Sequence, residues 1–285
     1  MANRPDRGCL PREIALRIRS DIMNICTRWI AIAAFVWLLP QCTGGGQTAR
    51  TESGAEKPDA GQALALLKEG NQRFVQGKSM HPNTNADRLR QAGTENQADH
   101  AYATIITCSD SRVPVELIFD AGIMDVFVVR VAGNVCDVDE IGSIEYGMCH
   151  VHTPLLVILG HKQCGAVTAV VQALHGHGHA LERNIPPLVD NIRPAVQRAA
   201  DLHPEIHGQA IIPYAIEENV WQAMEDLFMN SPAVRDLVGK GRAKVVGAVY
   251  DVGNGKIEWL DESGTAALLI RVEQNPGRIK NPMAP

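Results

Sequence analysis

Ala103-Thr104-Ile105-Ile106-Thr107-Cys108-Ser109-Asp110-Ser111-Arg112 is an apolar, β-branched run that stops abruptly at polar residues. The run reads as a buried strand. Val113-Pro114 reads as the start of a helix, because proline is tolerated in a first turn. Cys108, Asp110 and Arg112 therefore fall at the carboxyl end of a strand, where open α/β sheets place their ligands.

A second stretch repeats the pattern. Leu155-Leu156-Val157-Ile158-Leu159 is again apolar and ends in Gly160-His161-Lys162-Gln163-Cys164-Gly165, with a helical sequence after it. The H-x-x-C spacing of His161 and Cys164 lets two side chains point at one ion. If the two strands are parallel neighbours, their carboxyl ends meet. Cys108, His161 and Cys164 then supply two sulfurs and a nitrogen. That donor set with one open position is a catalytic zinc pattern, whereas structural zinc sites are closed by a fourth protein ligand. The competing reading is a structural Asp110–Arg112 pair beside inert cysteines, since a lone buried cysteine usually behaves as a small apolar residue. It does not explain why a carboxylate and a guanidinium crowd the end of a buried strand.

Cys-Ser-Asp-Ser-Arg at 108–112 and Gly-His-Lys-Gln-Cys-Gly at 160–165, in this order, resemble the β-class carbonic anhydrases. Phe127-Val128-Val129-Arg130-Val131-Ala132-Gly133-Asn134 and Ser143-Ile144-Glu145-Tyr146 support the resemblance, which runs from Ala63 to Leu260. It implies a Rossmann-like α/β fold, with a mostly parallel central sheet flanked by helices. It implies zinc-dependent, reversible hydration of carbon dioxide to bicarbonate and a proton by a zinc-bound hydroxide, with one zinc per chain on Cys108, His161 and Cys164. Asp110 and Arg112 become the catalytic pair. Arginine grips a carboxylate through two parallel hydrogen bonds. Held that way, Asp110 accepts a hydrogen bond from the nucleophile; released, it takes the fourth metal position itself, a state the resemblance links to low pH. The helix at Ala63–Phe74 matches one that packs on a neighbouring subunit, which implies a homodimer or a dimer of dimers. Two positions depart from the family. Ile105 stands where members inhibited by bicarbonate carry a tryptophan, so such inhibition is not expected, although the matching Arg130 is present. Gln97 is the nearest equivalent of a glutamine near the substrate, at a slightly long spacing from Cys108. Two other functions fit the same ligands: a hydrolase of carbon disulfide or carbonyl sulfide on this scaffold, and a non-catalytic zinc-binding or redox protein.

The remainder of the 285 residues sets the context. An apolar share of 45% and a charged share of 21% are ordinary for a globular protein. A net charge of −5 without a basic stripe gives no reason to expect a nucleic-acid partner. The seven cysteines lack the density of a disulfide scaffold. Cys136 and Cys149 read most simply as unpaired core residues, with a bond between them as the alternative. Trp29 to Leu39 is an apolar run preceded by Arg17, Arg19 and Arg28. It is shorter than the roughly 20 residues of a membrane span and reads as a secretory signal, with Met23 an alternative start. Cys42 after it is a candidate for lipid modification, although Gln41 is large for such a signal. The expected location is outside the cytoplasm, in a bacterial periplasm. The expected organisation is a leader over 1–42, a flexible linker over 43–60, the catalytic domain over 61–270 and a loose tail over 271–285.

Strand–helix alternation then runs along the chain. Asp125–Val131, Lys244–Tyr250 and Lys256–Leu260 read as strands. Val113–Phe119, Glu140–Cys149, Val167–Leu174, Ile185–Ala200 and Glu217–Met229 read as helices. Ser79–His100 reads as loop-rich. His175-Gly176-His177-Gly178-His179 reads as a solvated loop.

Overall fold

A computed structural model describes residues 57–176 and 181–283. The leader, most of the linker and His177 to His179 lie outside the described residues. The strands are β1 (Ala103–Thr107), β2 (Val126–Arg130), β3 (Leu155–His161), β4 (Lys244–Tyr250) and β5 (Ile257–Trp259). They form one sheet in the order β2-β1-β3-β4-β5. The first four pair in parallel and β5 runs antiparallel to β4. This is the mostly parallel α/β architecture that the alternation implies.

The helices are α1 (Ala60–Val75), α2 (Ala86–Ala92), α3 (Val115–Ile118), α4 (Val138–Glu145), α5 (Gly165–Leu174), α6 (Ile185–Asp190), α7 (Arg193–Leu202), α8 (Ile212–Asn230), α9 (Pro232–Gly239) and α10 (Glu262–Gln274). They cover both faces of the sheet. Successive strand residues point to opposite faces, so each strand feeds two cores. Ile106, Leu156, Ile158, Val245 and Val249 pack with Val167, Val196, Val220 and Met224 on one side. Ile105, Leu155, Val157, Leu159 and Val246 pack with Leu64, Leu67, Ile118 and Phe119 on the other. Burial on both faces is why β1 and β3 read as unbroken apolar runs rather than alternating ones. Each fully buried Leu or Ile contributes roughly 2 kcal/mol.

Several boundaries differ from the sequence reading. β3 continues through Gly160 and His161, because both remain paired with Val249 and Tyr250 of β4. The single helix expected over Ile185–Ala200 is two, parted at Asn191. Pro194 lies in the first turn of α7, where its missing N–H costs nothing, whereas mid-helix it would break the hydrogen-bond ladder. The tail expected over 271–285 begins later: 271–274 complete α10, with Val272 buried, and Ile279 N–H donates to Met229 O at 2.9 Å. α1 starts at Ala60 because Asp59 caps it, its carboxylate accepting from Gln62 N–H while the Gln62 side chain accepts from Asp59 N–H. Its Ala63, Leu64 and Leu67 are buried within the chain's own second core.

Lys57, the first described residue, is anchored on the fold. Its Nζ donates to the carbonyls of Ala98 at 2.9 Å, Val151 at 2.9 Å and His152 at 3.1 Å. These carbonyls lie just ahead of β1 and β3, at the amino ends of the strands. Among the described residues no helix is long and apolar enough to cross a membrane.

Candidate metal centre

The register between β1 and β3 is what brings the two motifs together. Thr107 lies opposite Leu159, so Cys108 emerges beside the end of β3, where His161 closes the strand. His161 is 0% exposed, Cys164 1% and Cys108 5%. One donor atom from each lies within 4.8 Å of the others. Asp110 stands beside this cluster, its Oδ2 at 3.9 Å from His161 Nε2.

Each donor is aimed by its surroundings. His161 Nδ1 lies 3.0 Å from Lys162 O, which assigns the ring proton to Nδ1 and leaves Nε2 a lone pair. Nε2 is buried and has no hydrogen-bond partner. Cys164 sits at the N-cap of α5, where the amides of Ala166 and Val167 favour a thiolate. Gln163 between them takes a left-handed backbone, φ 59°, which turns the chain back so that His161 and Cys164 face each other. Cys108 accepts from Gly133 N–H at 3.3 Å. Its carbonyl accepts from Arg130 Nε at 3.2 Å, and Asp110 O accepts from Arg130 Nη2 at 2.7 Å. Arg130 thus braces this loop by its backbone.

The two thiols titrate as a pair. The interaction with Cys164, together with the amides of Gly133 and Asp110, holds Cys108 well below the ordinary thiol range despite burial. Cys164 is pushed up, first by its interaction with Cys108 and then by burial. The pair gives up one proton easily and holds the second, which a divalent cation displaces on binding. An unpartnered imidazole lone pair, one ready thiolate and a second thiol in a buried pocket form a site whose chemistry fits a borderline-soft cation.

Arg112 holds Asp110 through three bonds: N–H to Oδ1 at 2.9 Å, Nε to Oδ1 at 3.0 Å and Nη2 to Oδ2 at 2.7 Å. These hold the Asp110 carboxyl well below the usual carboxylate range. Arg112 also reaches the second loop, donating to Gln163 O at 3.1 Å and Gln163 Oε1 at 3.3 Å. The guanidinium therefore ties the first motif to the second, a contact that the spacing of the motifs does not reveal.

Other positions singled out in the sequence lie elsewhere. Gln97 is exposed in a short 3₁₀ turn ahead of β1, at the amino end of the strand and away from the cluster. Ile105 is buried in the second core. Cys136 and Cys149 are unpaired thiols, both pushed up chiefly by burial. A groove of about 920 Å³ lies by Cys149, His152, Arg235 and Arg242 and contains none of the strand-end residues. Donor chemistry rather than cavity size locates the site.

Gly160, which precedes His161, has a packing role. A Cβ there would lie 2.7 Å from Val220 Cγ2 of α8, and one on Gly247 would lie 2.9 Å from Val220 Cγ1. The two glycines, in adjacent strands, let α8 lie close on the sheet. Gly165 has nothing within 4 Å of its Cβ position.

Comparison with known proteins agrees with this geometry. The family model described as carbonic anhydrase matches residues 103–257. Carbonic anhydrase 2 of Mycobacterium tuberculosis is 35% identical over 202 residues, 71% of this chain and 93% of that protein. A carbonic anhydrase of Mycolicibacterium smegmatis is 34% identical over 196 residues, 69% of this chain and 91% of that protein. The solved β-carbonic anhydrase CafA of Aspergillus fumigatus is 26% identical, with a TM-score of 0.54 over 75% of this chain and 98% of that one. With the paired strand-end motifs, the buried donor cluster and these matches together, the chain belongs to the β-class carbonic anhydrase family of enzymes.

Proposed function

We propose that this chain catalyses the reversible hydration of carbon dioxide to bicarbonate and a proton, and that Cys108, His161 and Cys164 hold one zinc ion per chain for that purpose. The observation that carries the metal assignment is His161 Nε2, buried without a partner beside two thiols. An unmet buried acceptor is costly, and a cation meets it. A zinc ion held there supplies a Lewis acid that brings the ionisation of water close to neutrality.

The residues of the chain do the rest. Asp110, kept ionised by Arg112, is an acceptor only. It takes a hydrogen bond from the attacking water and turns a lone pair of that water toward carbon dioxide. Arg112 stays charged throughout and holds Asp110 against rotation, with Gln163 holding Arg112 from the other side. Because Asp110 Oδ2 is 3.9 Å from His161 Nε2, a carboxylate freed from Arg112 has only a short way to go to the cluster. We propose that this closed arrangement is the resting alternative, with Asp110 as a fourth ligand. The proton released in each cycle passes to buffer.

The test is stopped-flow hydration of carbon dioxide by the purified protein, with zinc counted in the same sample. Turnover with about one zinc per chain supports the reading. Zinc without turnover at neutral and at alkaline pH, together with hydrolysis of carbon disulfide, moves the assignment to the sulfur substrates.

We further propose a homodimer or a dimer of dimers. Among the described residues β2 is an edge strand with half-buried Val126, Phe127 and Val128, and the ring of exposed Tyr146 lies 6.1 Å from that of Phe127. Light scattering on the eluting protein tests this. For location, we propose export to a periplasm with the catalytic domain behind a linker and Cys42 as the candidate anchor. Fractionation and the mass of the mature N-terminus test that.

A further inference from the structure

The amide of Gly133 points at Cys108 Sγ, and the turn that carries it is closed by one backbone bond, from Asn134 N–H to Val131 O at 3.2 Å. Gly133 and Asn134 are consecutive left-handed residues, φ 80° and 46°. Glycine visits several backbone basins at little cost, so this turn is intrinsically soft. A side chain at 133 does not stiffen it, because a Cβ would stand 2.6 Å from Ile192 Cδ1. The one bond that closes the turn leaves the Gly133 carbonyl to be held from outside.

α8 provides the hold. Asn219 is 1% exposed and lies among Ala215, Ile216, Val220 and Ala223 on the buried side of that helix. An asparagine there is costly unless its polar atoms are used. Its Nδ2 donates to Gly133 O at 2.7 Å and lies 3.4 Å from Asn134 Oδ1. Both acceptors belong to the turn that touches Cys108. Asn134 Nδ2, by contrast, is buried with no partner, so the turn is not self-sufficient in hydrogen bonds. The close seat of α8 over Gly160 and Gly247 brings Asn219 within reach.

Taking Cys108 as a metal ligand, as proposed above, we propose that Asn219 is a positioning residue. It fixes the peptide that follows Gly133, and with it the turn that presents the Gly133 amide to the Cys108 sulfur, and it thereby sets how strongly that sulfur donates to the metal. Asn219 lies far in sequence from both motifs and hydrogen-bonds none of the three ligands.

The test uses the full chain loaded with Co²⁺, whose thiolate-to-cobalt charge-transfer band reports on the sulfur. Asn219→Ala and Asn219→Leu are compared with wild type. Leucine fills the volume without a donor, so no cavity is left. Both variants should move the band to lower energy, because a thiolate that loses a hydrogen bond is a stronger electron donor. Chelator competition should show affinity for Co²⁺ lower by roughly 10–100-fold, because the ligand is no longer held in place. Met224→Ala, buried on the same helix, is the control: it should lower Tm and leave the band where it is. If Asn219→Leu leaves band and affinity at wild-type values, or if Met224→Ala moves them equally, the proposal is overturned. Absence of any thiolate–cobalt band in wild type overturns the metal assignment and the proposal with it.

Discussion

Gly160→Ala tests whether the glycine before His161 serves the metal loop or the packing of α8. The new methyl would sit 2.7 Å from Val220 Cγ2, 3.7 Å from Ile216 Cγ2 and 3.8 Å from Ala248 O. Carbon atoms prefer about 3.5–4.0 Å, so roughly 1 Å must be found. Val220 cannot turn aside, because its other methyl already rests over Gly247. Either α8 lifts or β3 shifts, and overpacking of this kind costs about 1–3 kcal/mol. In a domain of this size each kcal/mol lowers Tm by roughly 2–4 °C. Urea unfolding followed by tryptophan fluorescence, with the slope checked for constancy, measures the loss. Val220→Ala alone leaves a cavity and costs roughly 1–2 kcal/mol. In the double variant the added methyl takes the space that the valine leaves, so its cost should fall short of the sum by about 1 kcal/mol. Gly160→Ala with wild-type stability, or a strictly additive double variant, would refute the packing argument and return the glycine to the metal loop.

Three further outcomes are expected. Cys164→Ser should reduce zinc from about one per chain to a small fraction, measured by atomic absorption; full retention means the ligand set is wrong. Asp110→Asn should lower carbon dioxide turnover roughly 100-fold near neutral pH while zinc content holds, and unchanged turnover removes Asp110 from the mechanism. The third concerns acid stability. Burial pushes the Asp120 carboxyl up more than any other single influence, but the Met80 and His81 amides and Arg73 together outweigh it and leave its pKa lowered. A lowered carboxylate stabilises the fold above its unfolded value, about 3.9, and that contribution is lost as pH falls through the folded value. Asp120→Asn should therefore cost about 1.5–3 kcal/mol at neutral pH and flatten the acid limb of a stability–pH curve; identical acid limbs in the two proteins contradict the assignment.

The strands were legible because burial on both faces leaves only apolar, β-branched residues in them, as in Ala103–Thr107 and Lys244–Tyr250. The cluster of Cys108, His161 and Cys164 was legible because its two motifs each follow such a run. Elements with less apolar contrast were not. α2 lies in a stretch as polar as a loop, with only Arg88 of its residues buried, while α9 and α10 carry short apolar stripes between polar residues. Asn219 was invisible for another reason: a single asparagine in a helical sequence reads as solvent-facing until the fold buries it. Gln163 stood within the quoted motif, yet its contacts with Arg112 depend on the approach of two loops that spacing cannot measure. The dual possibilities for Gly160 also needed coordinates, since only the position of Val220 separates them.

The seat of Lys57 has a practical consequence. Lys57 lies on the rim formed by the amino ends of the strands, where Ala98, Val151 and His152 hold its ammonium. The donor cluster occupies the opposite rim. Immobilisation of this enzyme on a bead or electrode through a surface residue introduced beside Lys57 should therefore present the opposite rim outward to dissolved gas, whereas attachment through side chains near Arg112 should smother it.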